Sequence, residues 1–398
     1  MYFPQRIGLY VHIPFCKTKC LYCDFNTYAK IEHLIPPYTE ALINEITMWG
    51  TILTTPILNT IFFGGGTPSY IPPTGISSII NTINRTFNTQ ATREITIEAN
   101  PDDLDIRRLE QYRFAGINRL SIGVQTFKDS LLSLLGRRHK AIDAIDAYNM
   151  ARNAGFNNIS IDLMFGLPYQ TLKDWKDTID QLLDLNPDHI SIYGLTLEYG
   201  TPLENLVKTN QIQKPDDDLA ADMYLLAEEM LLKSGYRHYE ISNWAKPGFE
   251  SLHNLTYWKN NQYLGIGPGA HSYLYNYRFS NINSPRKYIN IFQGSDVSPS
   301  SENTKHFPSR LKNISTIQDI CFIDETRAKS ETLIMGLRLE DGISLPEFQE
   351  TFGVSIKEIY GPIINELSSL GLLKLFNKTL SLTPKGRLLG NEVFQRFL

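Results

Sequence analysis

Three cysteines fall within eight residues, Cys16-Lys-Thr-Lys-Cys20-Leu-Tyr-Cys23, and the fourth, Cys321, stands about 300 positions away. Clustered thiols read as metal ligands rather than as a disulfide framework, which would spread its pairs along the chain. The spacing Cys-x3-Cys-x2-Cys puts three thiolates in one short loop with no fourth cysteine nearby. Structural zinc and ordinary [4Fe-4S] electron carriers both use four protein ligands. A triad of this kind leaves one iron of a cluster open to an external ligand.

Other chemically capable residues stand at the ends of apolar runs. Phe63-Gly-Gly-Gly-Thr-Pro68 carries no side chains at 64–66, which lets backbone amides approach a ligand closely, and it lacks the Gly-Lys-Ser/Thr of a phosphate loop. Glu98 ends Ile95-Thr-Ile-Glu, Gln125 ends Ser-Ile-Gly-Val-Gln and Asp162 ends Ile-Ser-Ile-Asp. Each is either a satisfied strand-end polar group or a residue facing a cavity.

The elements that must position these groups alternate. Short β-branched runs occur at 7–13, 60–63, 94–98, 119–124, 158–164 and 189–195, and helical spacing fills 37–49, 75–87, 102–115, 140–154 and 171–185. Ala115-Gly116 and Ala154-Gly155 are helix stops. Six βα units predict a parallel sheet, and candidate groups at the ends of five strands favour a partial (β/α)6 barrel, whose mouth gathers strand ends around one cavity. After Pro215-Asp-Asp-Asp, which opens a helix, comes a stretch rich in Tyr, Trp, Asn and Gly from 236 to 277, then a linker at 295–310. The tail predicts helices at 331–339, 345–352 and 356–370 and strands at 372–376 and 379–383, a winged-helix-like order. The expected organisation is a core at 1–214, an added α+β region at 215–300 and a C-terminal winged-helix-like domain at 301–398.

The 398 residues, 42% hydrophobic and 20% charged with a net charge of −4, describe a protein with material for a large core and no general affinity for polyanions. No nucleic-acid partner is expected: basic and acidic residues nearly balance in the tail. No run is long enough for a membrane span and no signal peptide is visible, which predicts a cytoplasmic protein. Peripheral contact with a membrane is compatible with that.

Cys-x3-Cys-x2-Cys after the first strand of a βα-repeat domain resembles the radical S-adenosylmethionine (SAM) superfamily. There the amino and carboxylate groups of SAM chelate the fourth iron, and an electron from the cluster cleaves the sulfonium to a 5′-deoxyadenosyl radical. Tyr10-Val-His-Ile-Pro-Phe-Cys16, Cys23-Asp-Phe-Asn26, Glu98-Ala-Asn-Pro101, Ser121-Ile-Gly-Val-Gln-Thr-Phe127, Gly136-Arg-Arg-His139 and Ile161-Asp-Leu-Met-Phe-Gly-Leu-Pro168 narrow the match. Together they are similar to the coproporphyrinogen III dehydrogenase-like group, which includes the HemW heme chaperones, and the match runs nearly end to end.

The resemblance implies that Cys16, Cys20 and Cys23 hold a [4Fe-4S] cluster and that Tyr10, Tyr22, Gly65, Gly66, Thr67, Glu98, Gln125, Arg137 and Asp162 contact SAM. Thr196 and His271 align as further main-chain contacts only through gaps. The dehydrogenase pattern continues to a fourth cysteine, which is Phe25 here, and an extra N-terminal segment found in that enzyme is missing. The HemW branch instead carries His-Asn-x-x-Tyr-Trp, present as His253-Asn-Leu-Thr-Tyr-Trp258. His253 would then offer an imidazole to heme iron and Tyr257 and Trp258 flat surfaces to the porphyrin. The bland alternative is a buried pair bracing an aromatic cluster, and His271 is the competing iron ligand. His12, His139, His189 and His238 read as structural.

Two functions follow from the resemblance. One is a heme chaperone that binds heme, SAM and the cluster, and exchanges heme with hemoproteins such as respiratory-chain proteins or bacterioferritin-like donors. The other is oxygen-independent oxidative decarboxylation of coproporphyrinogen III propionates.

Overall fold

The computed structural model describes residues 6–53, 56–293 and 307–398. Its first half is the expected alternation. Strands β1 (Arg6–Ile13), β2 (Ile57–Gly65), β3 (Glu94–Ala99), β4 (Arg119–Gln125), β5 (Ile159–Phe165) and β6 (His189–Gly194) pair in parallel in chain order. The crossovers carry α1 (Ile35–Leu53), α2 (Pro73–Thr86), α3 (Ile106–Phe114), α4 (Ala141–Asn153) and α5 (Leu172–Leu185). Alternate residues of each strand pack outward against these helices, where Leu9, Ile61, Ile97, Leu120, Ile161 and Ile190 are fully buried. The predicted stops hold, with Gly116 at φ +100° and Gly155 at φ +86°. The helix expected from 102 begins instead at Ile106, because Asp105 caps it by accepting from the Arg108 N–H, and a short turn at Pro101–Asp103 precedes it.

The aromatic stretch after α6 (Asp217–Lys233) is not a separate layer. It folds into β7 (Arg237–Glu240), β8 (Asn243–Ala245), α7 (Leu252–Trp258), β9 (Tyr263–Ile266), β10 (His271–Leu274) and β11 (Tyr277–Asn281), and β12 (Ile317–Phe322) follows. All join one twelve-stranded sheet in the order β12-β11-β10-β9-β1-β2-β3-β4-β5-β6-β8-β7. β9 lies parallel to β1, and the strands beyond β6 and β9 run antiparallel. The partial barrel is therefore widened at both edges by residues 237–322. Most of the predicted linker lies outside the described residues, and its end is a short helix at Phe307–Lys312.

A second apolar cluster, including Leu333, Leu337, Phe348, Ile356, Ile364, Leu380 and Val393, forms the tail around the predicted helices and a three-stranded antiparallel sheet. Arg387 ties it to the barrel by pairing with Glu228 of α6 at 2.6 Å and with Glu340. Among the described residues no helix is long and apolar enough to cross a membrane.

Candidate cluster and cofactor site

The cysteine loop is closed at its neck. Phe15–Cys16 and Tyr28–Ala29 form a two-residue parallel ladder, so residues 17–27 leave and return at one place. Inside the loop the Cys23 N–H donates to the Cys20 carbonyl at 3.2 Å, and Lys19 Nζ donates to the Phe25 carbonyl at 3.0 Å. The Leu21 N–H donates to the Leu135 carbonyl at 3.1 Å, tying the loop to the segment before Arg137. Asn26 Nδ2 reaches the carbonyls of Pro268 and Asn283, both at 3.0 Å, and His12 Nε2 donates to the Asn26 carbonyl at 2.9 Å.

The glycine run lies directly against this loop. The Gly66 and Thr67 amides donate to the Ile13 and Phe15 carbonyls at 2.7 and 2.9 Å. A Cβ on Gly66 would stand 2.7 Å from the Phe15 carbonyl oxygen and 3.1 Å from Cys16 Sγ. Gly65 has φ +112°, and its Cβ would meet the His12 ring at 2.5 Å. Both positions require glycine.

Cys16, Cys20 and Cys23 line one cavity of about 430 Å³ at the C-terminal ends of the strands, together with Tyr22, Gly65, Gly66, Thr67, Glu98, Gln125, Arg137, Asp162 and Thr196. Each thiol has a polar neighbour. Thr67 Oγ1 donates to Cys16 Sγ at 3.5 Å, Arg137 Nη1 to Cys20 Sγ at 3.6 Å, and Thr27 Oγ1 lies 3.9 Å from Cys23 Sγ. Burial pushes the Cys16 and Cys23 thiols up. Among the described residues no three His, Cys, Asp or Glu side chains close on a single-ion position; the thiols share a cavity wall instead. That donor set, all sulfur and backed by a guanidinium, suits an iron–sulfur body with an open iron.

Polar residues face the rest of the cavity. Glu98 Oε2 accepts the Gly65 N–H at 3.2 Å, and burial, then the Asp162 charge, push its carboxyl up to about 8. Asp162 accepts from Ser121 at 2.9 Å and Ser160 at 3.1 Å, and burial raises it too. Arg137 Nη2 donates to Asn100 Oδ1 at 2.7 Å, and Asn100 Nδ2 to Thr67 Oγ1 at 3.3 Å. Gln125 stands at φ +70° where the β4–β5 register shifts, a strained conformation that turns its side chain into the cavity.

Tyr10 departs from the expectation. It does not line the cavity: its hydroxyl donates to His12 Nδ1 at 3.1 Å, and its ring lies beside Phe62 and His253. The His253 motif departs further. His253 is 1% exposed; Nδ1 bonds Thr60 Oγ1 at 2.8 Å, Nε2 bonds the Tyr257 hydroxyl at 2.9 Å, and the ring stacks on Phe62 at 5.0 Å. Burial pushes its pKa down to about 3. An imidazole with both nitrogens engaged has none to offer iron. Trp258 faces the C-terminal domain instead, with the Arg338 guanidinium 4.4 Å above its ring. The three side chains brace the structure rather than form one open porphyrin face. His12, His139 and His189 are buried and hydrogen-bonded, as expected, and His238 stacks on Trp244. His271 is exposed on β10, outside the cavity.

The cavity also contains residues not anticipated from the sequence: Phe62, Asn100, Arg119, Ser121, Ser191, Tyr193 and Asn254. For Arg119 and Ser121 a signal existed, since 119, 121, 123 and 125 share one face of β4 by strand alternation.

A partial parallel barrel with three thiols, a glycine run and buried carboxyls at its mouth defines a radical SAM protein. The description "Radical SAM superfamily" matches residues 10–182, and "HemN C-terminal domain" matches 323–389. The chain is 40% identical over 393 residues to the heme chaperone HemW of Bacillus subtilis, covering 98% of each. It is 35% identical over 389 residues to the heme chaperone HemW of Lactococcus lactis, covering 98% of this chain and 96% of that one. Coproporphyrinogen III oxidase (HemN) of Escherichia coli, a radical SAM enzyme, shares the fold with a TM-score of 0.84 at 23% identity, over 100% of this chain and 91% of that one. The chain belongs to the HemW family, and its radical SAM domain implies a [4Fe-4S] cluster and SAM.

Proposed function

We propose that this protein is a heme chaperone that binds heme alongside a [4Fe-4S] cluster and SAM and passes heme to acceptor hemoproteins in the cytoplasm. The observation that carries the proposal is full-length similarity to relatives named for that role. Cys16, Cys20 and Cys23 hold the cluster. Tyr22, Gly65, Gly66, Thr67, Glu98, Gln125, Arg137 and Asp162 hold SAM, whose bound form supplies one-electron chemistry at its sulfonium. In that arrangement Gly65 and Gly66 would leave room for the methionine portion, Glu98 would offer a protonated carboxyl near neutrality, and Arg137 would hold Cys20 Sγ.

In this reading heme binds outside the cavity that takes the cluster and SAM. Of His253 and His271, only His271 is exposed. Anaerobically reconstituted protein titrated with hemin is expected to show a stoichiometric Soret shift that His271→Ala weakens and His253→Phe does not. Binding no greater than that of an unrelated protein would sink the proposal.

Decarboxylation of coproporphyrinogen III is the second reading, favoured by the shared fold. Against it stands Phe25, 64% exposed at the cavity edge where the dehydrogenase pattern has its fourth cysteine. Vinyl-porphyrinogen formation in an anaerobic assay with substrate, SAM and reductant would reverse the ranking.

A further inference from the structure

Arg119 opens β4, is 2% exposed and lines the inner part of the cavity. Buried guanidinium groups are almost always committed to a carboxylate or to carbonyls. This one makes no hydrogen bond and no ion pair among the described residues, its Nε is enclosed without a partner, and Glu98 and Asp162 attract it only through space. The carboxyls that face the same cavity are engaged elsewhere, Asp162 with Ser121 and Ser160, and Glu98 with the Gly65 amide. Thr96 is the register partner of Arg119 across β3–β4, and its Oγ1 is likewise buried with no partner. Two orphaned polar groups are thus neighbours across β3–β4, and of the two only Arg119 lines the cavity.

We propose that Arg119 holds the carboxylate of a second small ligand, bound in the inner part of the cavity together with SAM. Several features select a carboxylate. The guanidinium offers a planar fork that a carboxylate matches with two parallel bonds. A phosphate dianion would bring twice the charge to a space that Asp162 and Glu98 also face. A neutral ligand would leave the cation with the through-space attraction of Glu98 and Asp162 but no hydrogen-bonded counter-charge. The carboxylate of SAM itself is assigned to the open iron at the cysteine loop, so the inner guanidinium needs another source. This subsite is independent of where heme binds.

The test uses the anaerobically reconstituted full chain and ligand-observed NMR, with propionate as the probe and propionamide as its neutral counterpart. The unaltered protein is expected to bind propionate at least about tenfold more tightly than propionamide, the scale of hydrogen bonds to a charged group. That preference should disappear in Arg119→Gln, survive in part in Arg119→Lys, and persist under saturating SAM. Equal binding of acid and amide by the unaltered protein would overturn the proposal and leave Arg119 as a counter-charge for Asp162 and Glu98. Displacement of propionate by SAM would overturn it by assigning the guanidinium to SAM. The acid–amide comparison needs no substitution, so it decides the matter even if Arg119→Gln fails to fold. The hemin titration is unaffected by either outcome.

Discussion

At Gly66 a single methyl group decides whether the cysteine loop can lie against the exit of β2. A Cβ there would be 2.7 Å from the Phe15 carbonyl oxygen, so Gly66→Ala is expected to lose most of the cluster absorbance after reconstitution. Gly75→Ala is the control: the nearest atom to its Cβ would be 3.7 Å away, and the change should keep the cluster and stabilise α2 by about 0.5–1 kcal/mol. Glu98 makes a pH prediction. Its folded pKa of about 8 lies above the ordinary carboxyl value, so between those two values the native state binds more protons than the unfolded chain. Stability from this group is complete at low pH and is lost as pH rises through about 8. Thermal denaturation of the cluster-free chain from pH 5 to 9 should therefore fall less steeply in Glu98→Gln, and parallel profiles would contradict the assignment. The cysteines, glycines and strand-end carboxyls were legible in the sequence because residue type and spacing state their chemistry. Tyr10 and Arg119 were not, because their roles depend on which neighbour each side chain meets inside the barrel.

Short α7 links three parts of the molecule. Glu94 accepts the backbone N–H groups of Leu252 and His253 at 2.9 and 3.0 Å, His253 reaches Thr60 on β2, and Trp258 meets Arg338. His253→Phe keeps the stack on Phe62 but strips the Thr60 and Tyr257 hydroxyls of a buried partner. It is expected to cost about 2–4 kcal/mol in chemical denaturation. A change under half a kcal/mol would show that the ring is not the brace described here. The six βα units were legible because each carries its own periodicity and stop. The pairing of β9 with β1 was not: four residues, Tyr263–Ile266, have no local pattern that specifies a partner some 250 positions earlier. The aromatic richness of that stretch signalled burial without saying where.

On the scale of the whole chain, two apolar cores meet at a polar seam. The Arg387 side chain is nearly buried there between Glu228 and Glu340. Arg387→Ala leaves two acids facing each other and should cost about 1–3 kcal/mol. It should also raise the rate of limited proteolysis between the barrel and the tail; an unchanged rate would mean that the apolar contacts alone hold the seam.

The ladder at the neck of the cysteine loop bears on how the protein is supplied with iron. Because Phe15–Cys16 and Tyr28–Ala29 already close the loop, the entropy of closure is met by the polypeptide rather than by the incoming inorganic body. Zinc-finger-like modules show the opposite economy, in which metal and fold arrive together. Closure of the loop should therefore not depend on the cluster, and removal of the cluster is expected to shift the melting temperature by only a few degrees. Reloading such a loop would not require the chain to refold.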